Sequence, residues 1–279
     1  MQAPHPPLRD YYLHEAERGS WVRQLFDRTA GDYDRIERVM ALGSGSWYRR
    51  GALKRAGLLP GMRVLDIGVG TGLTARQAAV LVGASGSVTG IDPSCGMIQR
   101  AKVPAGVELL IGSAEAIPAA AATADFLCMG YALRHIADMS AACQEFMRVL
   151  KPGGRICLLE ITRPEGRVPR AVLKAYMRGV VPFLAGILGE NPDSPKLMRY
   201  YWDTIDACAA PGEILETIRE AGFVDVHRGV ELRIFSEYCA RKPAGSSASL
   251  EDFNACASAV PPTAAAAGRI PRTAADASR

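Results

Sequence analysis

Histidine is scarce in this chain, with four in 279 residues, aromatics make up only 7%, and the seven cysteines form no CxxC pair. A metal site built from closely spaced cysteines and histidines therefore has little to draw on, and none is expected. The cysteines stand far apart between Cys95 and Cys256, several inside apolar stretches where a free thiol behaves as a small hydrophobe. That pattern points to a reducing compartment and a cytoplasmic location. Long hydrophobic runs are missing: no segment offers the roughly 20 apolar residues of a membrane span. The start, Met1–Asp10, is proline-rich and lacks the apolar centre of a signal peptide. A strong charge of one sign is missing too, since 33 basic residues face 29 acidic ones for a net charge of +4. No basic cluster is interleaved with aromatics, so nucleic acid is not an expected partner.

What the chain has is 48% hydrophobic residues, enough for one sizeable core and a small cap. Residues 10–57 read as helical, broken by Gly31, Gly43 and Gly45, and residues 1–57 form the expected N-terminal cap. Short apolar runs at 63–67, 87–91, 107–111, 124–130 and 154–161 then alternate with helical stretches at 71–82, 94–102 and 138–150. Such alternation predicts a parallel sheet covered on both faces. Lys151-Pro152-Gly153-Gly154 reads as a stop between helix and strand. A helical, aromatic-rich insertion at 165–210 interrupts the pattern, which resumes with a helix at 212–221. Two last strands, 223–228 and 231–240, are too close for a parallel crossover and predict an antiparallel hairpin. The expected architecture is α/β: a Rossmann-like, doubly wound, seven-stranded sheet over 58–242 with helical cap elements. Beyond Lys242 the composition collapses to Ala, Ser, Pro and Thr, so 243–279 reads as a disordered tail.

The most informative run is Val64-Leu65-Asp66-Ile67-Gly68-Val69-Gly70-Thr71-Gly72, a buried strand ending in a glycine-rich turn that opens into a helix. Glycine permits positive φ and close approach to the backbone, and a helix N-terminus favours anionic or polar groups. Asp92 ends the next apolar strand, where a carboxylate can accept both hydroxyl hydrogens of a ribose. Strand, turn, helix, strand and acid together specify a site for a nucleoside cofactor.

With these features the chain resembles the class I S-adenosylmethionine-dependent methyltransferases, and within them the ubiquinone and menaquinone biosynthesis C-methyltransferase family. The resemblance runs from Phe26 to Lys242. It rests on Phe26-Asp27-x-x-Ala30-x-x-Tyr33-Asp34, the glycine turn, Gly112–Pro118, Ala132-Leu133-Arg134-His135, Arg148–Gly154, Leu159-Glu160 and Ala221-Gly222-Phe223. It implies S-adenosylmethionine as cofactor. Asp66, Gly68, Val69, Gly70 and Gly72 would hold its methionine portion, with Thr71 near the carboxylate. Asp92 would take the ribose hydroxyls, Met97 would cover the adenine face, Ser113 and Ala114 would meet the adenine edge, and Pro93 would be a further cofactor contact. Gly130 would floor the site and Tyr33 would close it from the cap. Two departures stand out. Ser113 occupies a position where many methyltransferases carry Asp or Asn, which implies a weaker bond to the adenine amine. His135-Ile136 replaces the Asn-Val of the quinone enzymes, at the expected seat of chemistry.

For a ring carbon beside a phenol, loss of the phenolic proton creates the nucleophile, and His135 is placed to act as base. Arg134 would stabilise the phenolate, or else pair with an acid such as Asp138. Tyr33 would orient the reactants or simply pack, and Glu160 is a weaker candidate base. The acceptor is expected to be a small hydrophobic or aromatic molecule, with carbon methylation of a quinol intermediate the leading reading. Oxygen or nitrogen methylation in a specialised pathway is the alternative, because related sequences with Leu-x-His here serve many substrates. A cofactor-binding scaffold without turnover is a third reading, opposed by the intact cofactor residues. The apolar stretch 171–189, broken by Lys174, Arg178 and Pro182, reads mainly as a packed cap helix. A greasy lid touching a membrane surface transiently is its sharper alternative. A homo-oligomer stays open.

Overall fold

Seven apolar runs become seven strands: β1 (Arg63–Ile67), β2 (Ser87–Asp92), β3 (Val107–Ile111), β4 (Ala124–Gly130), β5 (Leu150–Ile161), β6 (Val224–Glu231) and β7 (Phe235–Arg241). They form one sheet of order β3-β2-β1-β4-β5-β7-β6 in a computed structural model that describes residues 3–40 and 43–244. The first five strands are parallel, and β7 runs antiparallel to both β5 and β6. Strand order reverses between the parallel neighbours β1 and β4, with β2 and β3 to one side and β5 to the other, and a crevice opens at their carboxyl ends. Residues 245–279, most of the expected disordered tail at 243–279, lie outside the described residues.

Why the central strands read as unbroken apolar runs is clear from β4. Leu127 and Met129 face a cluster with helices α5 (Met139–Val149) and α9 (Pro211–Glu220), while Phe126 and Cys128 face α2 (Gly45–Arg55) and α3 (Leu73–Val82). Both faces are covered, so both residue parities must be apolar. A short helix, α4 (Cys95–Arg100), follows β2 and carries a Ser94 cap whose hydroxyl accepts from Met97 N at 3.1 Å.

Three boundaries differ from the sequence expectation. Helix α1 (Glu15–Met40) runs straight through Gly31 rather than breaking there. Six of its buried positions, Arg18, Val22, Leu25, Thr29, Asp32 and Ile36, recur every three or four residues. An exposed glycine costs about 1 kcal/mol relative to alanine. Burying Leu25 and Ile36 contributes about 1.5–3 kcal/mol each, so packing wins. Second, β5 starts at Leu150 and carries Lys151–Gly154 within it, where its register against β4 shifts between Ala124 and Phe126. The expected stop is thus an irregularity in a strand, with Gly153 at φ 81°. Third, the hairpin turns at Leu232-Arg233-Ile234, later than expected.

The insertion forms α6 (Arg167–Ala175), a π-helical turn (Tyr176–Val180), α7 (Val181–Leu188) and α8 (Ser194–Ala207). With α1 these build a third apolar cluster that includes Met177, Val181, Ala185, Tyr200, Tyr201 and Trp202. The packing expectation for 171–189 holds for its second half only, because α6 buries none of its residues. By length and composition the continuous helix Arg167–Leu188 is sufficient to cross a membrane. That corrects the expectation of no span-length segment, although Met177, Val181 and Ala185 are committed to the cap. Ahead of α1 the chain is also anchored: Ala209 N donates to Pro4 O at 2.6 Å, and Tyr11 to Asp203 Oδ2 at 2.7 Å.

Candidate active site

A cavity of about 390 Å³ lies at the carboxyl ends of β1, β2 and β4 beneath α1, within the size range of small-molecule and cofactor sites. Of the expected residues, Gly68, Gly70, Asp92, Pro93 and Met97 line one end of it, joined by Ser113 and Ala114. Tyr33, Gly130 and His135 line it as well. A Cβ on Gly130 would collide with Thr74 Oγ1, so any larger residue there would have to displace that hydroxyl.

Asp92 organises the nucleoside end. Its Oδ2 accepts from Gly70 N and its Oδ1 from Ser94 N, both at 2.8 Å. Each carboxylate oxygen keeps a further acceptor site, so a vicinal diol can still be held by both. Burial pushes this carboxyl up to about 6. Gly70, at φ 54°, has open space where a Cβ would stand, a cradle that leaves room for a ligand against the loop. These features fit a ribose-bearing cofactor.

Four expected cofactor residues do not line the cavity. Asp66 is sealed beneath the loop, where burial pushes its carboxyl up to about 7 and its Oδ2 lacks a hydrogen-bond partner. Val69 turns into the cluster around α3. Gly72 caps α3 with φ 89°, and a Cβ on it would strike Val103 rather than a ligand. Thr71 is buried and donates its hydroxyl to Asp34 of α1. Their contribution is to shape and tether the loop.

That tether explains the Phe26–Asp34 motif, whose parts are seven residues, or two helical turns, apart. Phe26 and Tyr33 form cavity wall. Beside them, Asp27 Oδ1 accepts from Ser94 Oγ at 2.6 Å and Gly96 N at 2.8 Å, while Asp34 takes the Thr71 hydroxyl. One helix thus lays aromatics over the crevice and fastens itself to both cofactor loops. Sequence reading missed the two aspartates as fasteners, although their i, i+7 repeat beside the aromatics was a usable signal.

The other end of the cavity is aromatic. His135 sits in a single 3₁₀ turn, Leu133–His135, stacked on Tyr200 at 5.5 Å and edge-on to Phe26 at 5.2 Å. Its Nδ1 meets Tyr200 Oη at 3.4 Å, and its Nε2 has no hydrogen-bond partner. Burial, reinforced by the Arg134 charge, holds the imidazole well below its ordinary value, so it is neutral near pH 7. Tyr33 and Tyr201 share a 2.6 Å hydroxyl contact across the cavity. Tyr131, missed in the sequence, also lines the wall with a left-handed φ of 62°, a strained choice for a tyrosine.

Arg134 and Glu160 are corrected. Arg134 is fully buried, paired with Glu160 rather than Asp138, and donates to Thr204 Oγ1 at 3.0 Å. Its guanidinium lies 4.5 Å over the Tyr201 ring. Neither side chain reaches the cavity, so Arg134 does not meet a phenolate and Glu160 is not a base there. Both instead hold the 3₁₀ turn and the aromatic wall in place.

Known proteins resemble this chain in sequence and in fold. A C-methyltransferase of ubiquinone and menaquinone biosynthesis from Syntrophotalea carbinolica is 34% identical over 227 residues, covering 79% of this chain and 93% of its own. A demethylmenaquinone methyltransferase from Symbiobacterium thermophilum is 32% identical over 218 residues, covering 75% and 87%. In fold, a solved methyltransferase from Thermotoga maritima superposes with a TM-score of 0.56 at 22% identity, covering 78% of this chain and 98% of that one. The sequence model of one family matches residues 13–230. The chain is an S-adenosylmethionine-dependent methyltransferase and belongs to the ubiE/COQ5 methyltransferase family.

Proposed function

We propose that this enzyme methylates a ring carbon of a quinol or related phenol. The observation that carries this reading is the unpaired Nε2 of a neutral His135 within an aromatic chamber that adjoins the ribose-binding carboxylate. Bound S-adenosylmethionine supplies an electrophilic methyl group carried on a sulfonium. Asp92 would hold its ribose, Met97 and Ser113 its base, and Gly68 and Gly70 the segment between. Phe26, Tyr33 and Tyr201 would stack on a flat acceptor ring and exclude water. Nε2 of His135 would accept the phenolic proton, which leaves the ring carbon electron-rich for an in-line displacement, after which that carbon's hydrogen would leave as a proton to solvent and the ring would regain its aromaticity. The Arg134 charge is balanced by Glu160, which limits its penalty on the imidazolium that forms. The curated relatives' names, which specify quinone biosynthesis, support the same acceptor class.

His135 itself favours one second reading, oxygen methylation, in which the deprotonated hydroxyl is the nucleophile. Incubation with labelled cofactor and demethylated quinol, catechol or amine acceptors, followed by mass spectrometry of the product, separates the two. A methyl found only on oxygen or nitrogen overturns carbon transfer. A cytoplasmic site of action is part of the proposal, supported by free thiols at all six described cysteines.

A further inference from the structure

A second cavity, of about 550 Å³, shares no lining residue with the one that holds Asp92 and His135, and five of its lining residues are arginines. Arg163, Arg167 and Arg170 come from the segment after β5 and the first turn of α6, Arg228 from β6, and Arg233 from the β6–β7 turn. Glu165 is the sole carboxylate in the lining, and Asp206 beside it accepts from Arg170 Nη2 at 2.7 Å. Among the described residues, Arg163, Arg167, Arg228 and Arg233 have no carboxylate within ion-pair distance. Five guanidiniums against two carboxylates leave an excess of about three positive charges in one concavity.

Like charges gathered this way repel, and the fold holds part of the cluster in place: Arg163 donates to Asp206 O at 2.6 Å and Arg170 pairs with the Asp206 carboxylate. Arg228 is also locked: its Nε donates to Ser236 Oγ at 2.8 Å and its Nη2 to Thr162 Oγ1 at 3.0 Å, both on buried residues. One edge of the fork is committed to the protein and Nη1 is left for a ligand. Arg233 is presented from a turn in which both Leu232 (φ 50°) and Arg233 (φ 61°) are left-handed, where Asn-Gly would cost less. Helix α6 also starts at this cavity, on Gly166, without a side-chain cap.

We propose that this cavity is a recognition site for a phosphate-bearing group. An excess near three suits a phosphate or diphosphate better than a single carboxylate, and planar guanidiniums match phosphate oxygens in pairs. The phosphate can belong to a soluble metabolite or to a lipid headgroup. The second source is raised by α6, which presents Val168 and Val172, 74% and 65% exposed, next to the cavity's own Arg167 and Arg170. The proposal does not depend on the identity of the methyl acceptor.

The test uses the full chain with two probes: calorimetry with inorganic pyrophosphate, and co-sedimentation with phosphatidylcholine vesicles with or without phosphatidylglycerol. Arg228→Gln/Arg233→Gln is compared with Lys54→Gln/Arg219→Gln, which removes equal charge elsewhere. Circular dichroism verifies that each variant is folded. The expected result is binding to at least one probe, weakened tenfold or more in the Arg228/Arg233 variant and less than twofold in the control. Pyrophosphate binding assigns a soluble source, and binding to anionic vesicles alone assigns a headgroup. Failure to bind either probe, or equal losses in the two variants, overturns the proposal. Methyl transfer is read separately and stays unchanged by these substitutions.

Discussion

Asp92 and His135 are both displaced from their ordinary titration, in opposite senses for their purposes. A carboxyl pushed up to about 6 must ionise before its two oxygens can accept a diol. Cofactor binding should therefore release a proton and tighten as pH rises from 5 to 7, with Asp92→Asn abolishing that dependence and weakening affinity about tenfold or more. Calorimetry with S-adenosylhomocysteine at several pH values measures both. His135 is lowered instead, so its base form persists below pH 6.5 and the acid limb of kcat falls below that value. For stability the sign is the same: the unfolded chain takes up the proton first, and the contribution is lost as pH drops below 6.5. His135→Ala should reduce kcat by roughly 10²–10⁴-fold while leaving cofactor affinity nearly unchanged, as steady-state and binding assays would show. Asp92 was legible from its place at the end of a second strand. Arg134 was not, because sequence adjacency to His135 says nothing about which way a side chain points from a 3₁₀ turn.

At the scale of elements, α1 and β5 carry the site without supplying most of its surface. Asp27 joins α1 to the start of α4 through two hydrogen bonds to a charged acceptor, each of a type that contributes about 1.5–3 kcal/mol. Asp27→Ala should weaken both cofactor affinity and stability, and adding Ser94→Ala should cost less than it does in the wild type. A double-mutant cycle in urea decides it. Arg134→Met, in the 3₁₀ turn, would strand Glu160, buried on β5, and destabilise the enzyme by about 3–5 kcal/mol, whereas Arg134→Met/Glu160→Leu should recover most of that loss. Denaturation midpoints test this, and recovery of activity in the double variant would confirm a positioning role. The interruption expected at Gly31 shows why element boundaries resist sequence reading. A glycine reports a local cost, while the buried stripe from Arg18 to Ile36 acts along the whole helix.

Across the molecule, cap and sheet are joined by Asp27 to Ser94, Thr71 to Asp34, Arg134 to Thr204 and Pro4 to Ala209. They should unfold together. With Trp47 replaced by Phe, fluorescence of the cap tryptophans Trp21 and Trp202 and far-UV circular dichroism should give one guanidinium midpoint, and separate midpoints would show a cap that melts alone. The sequence by itself determined the sheet, its terminal hairpin and the nucleoside cradle, because those depend on residue spacing within one strand, turn or helix. The tertiary structure decided which of the motifs' polar residues face a ligand and which fasten the scaffold. It also gathered five arginines from 163 to 233 around one cavity. Both outcomes depend on packing between distant segments, a property that spacing along the chain does not encode.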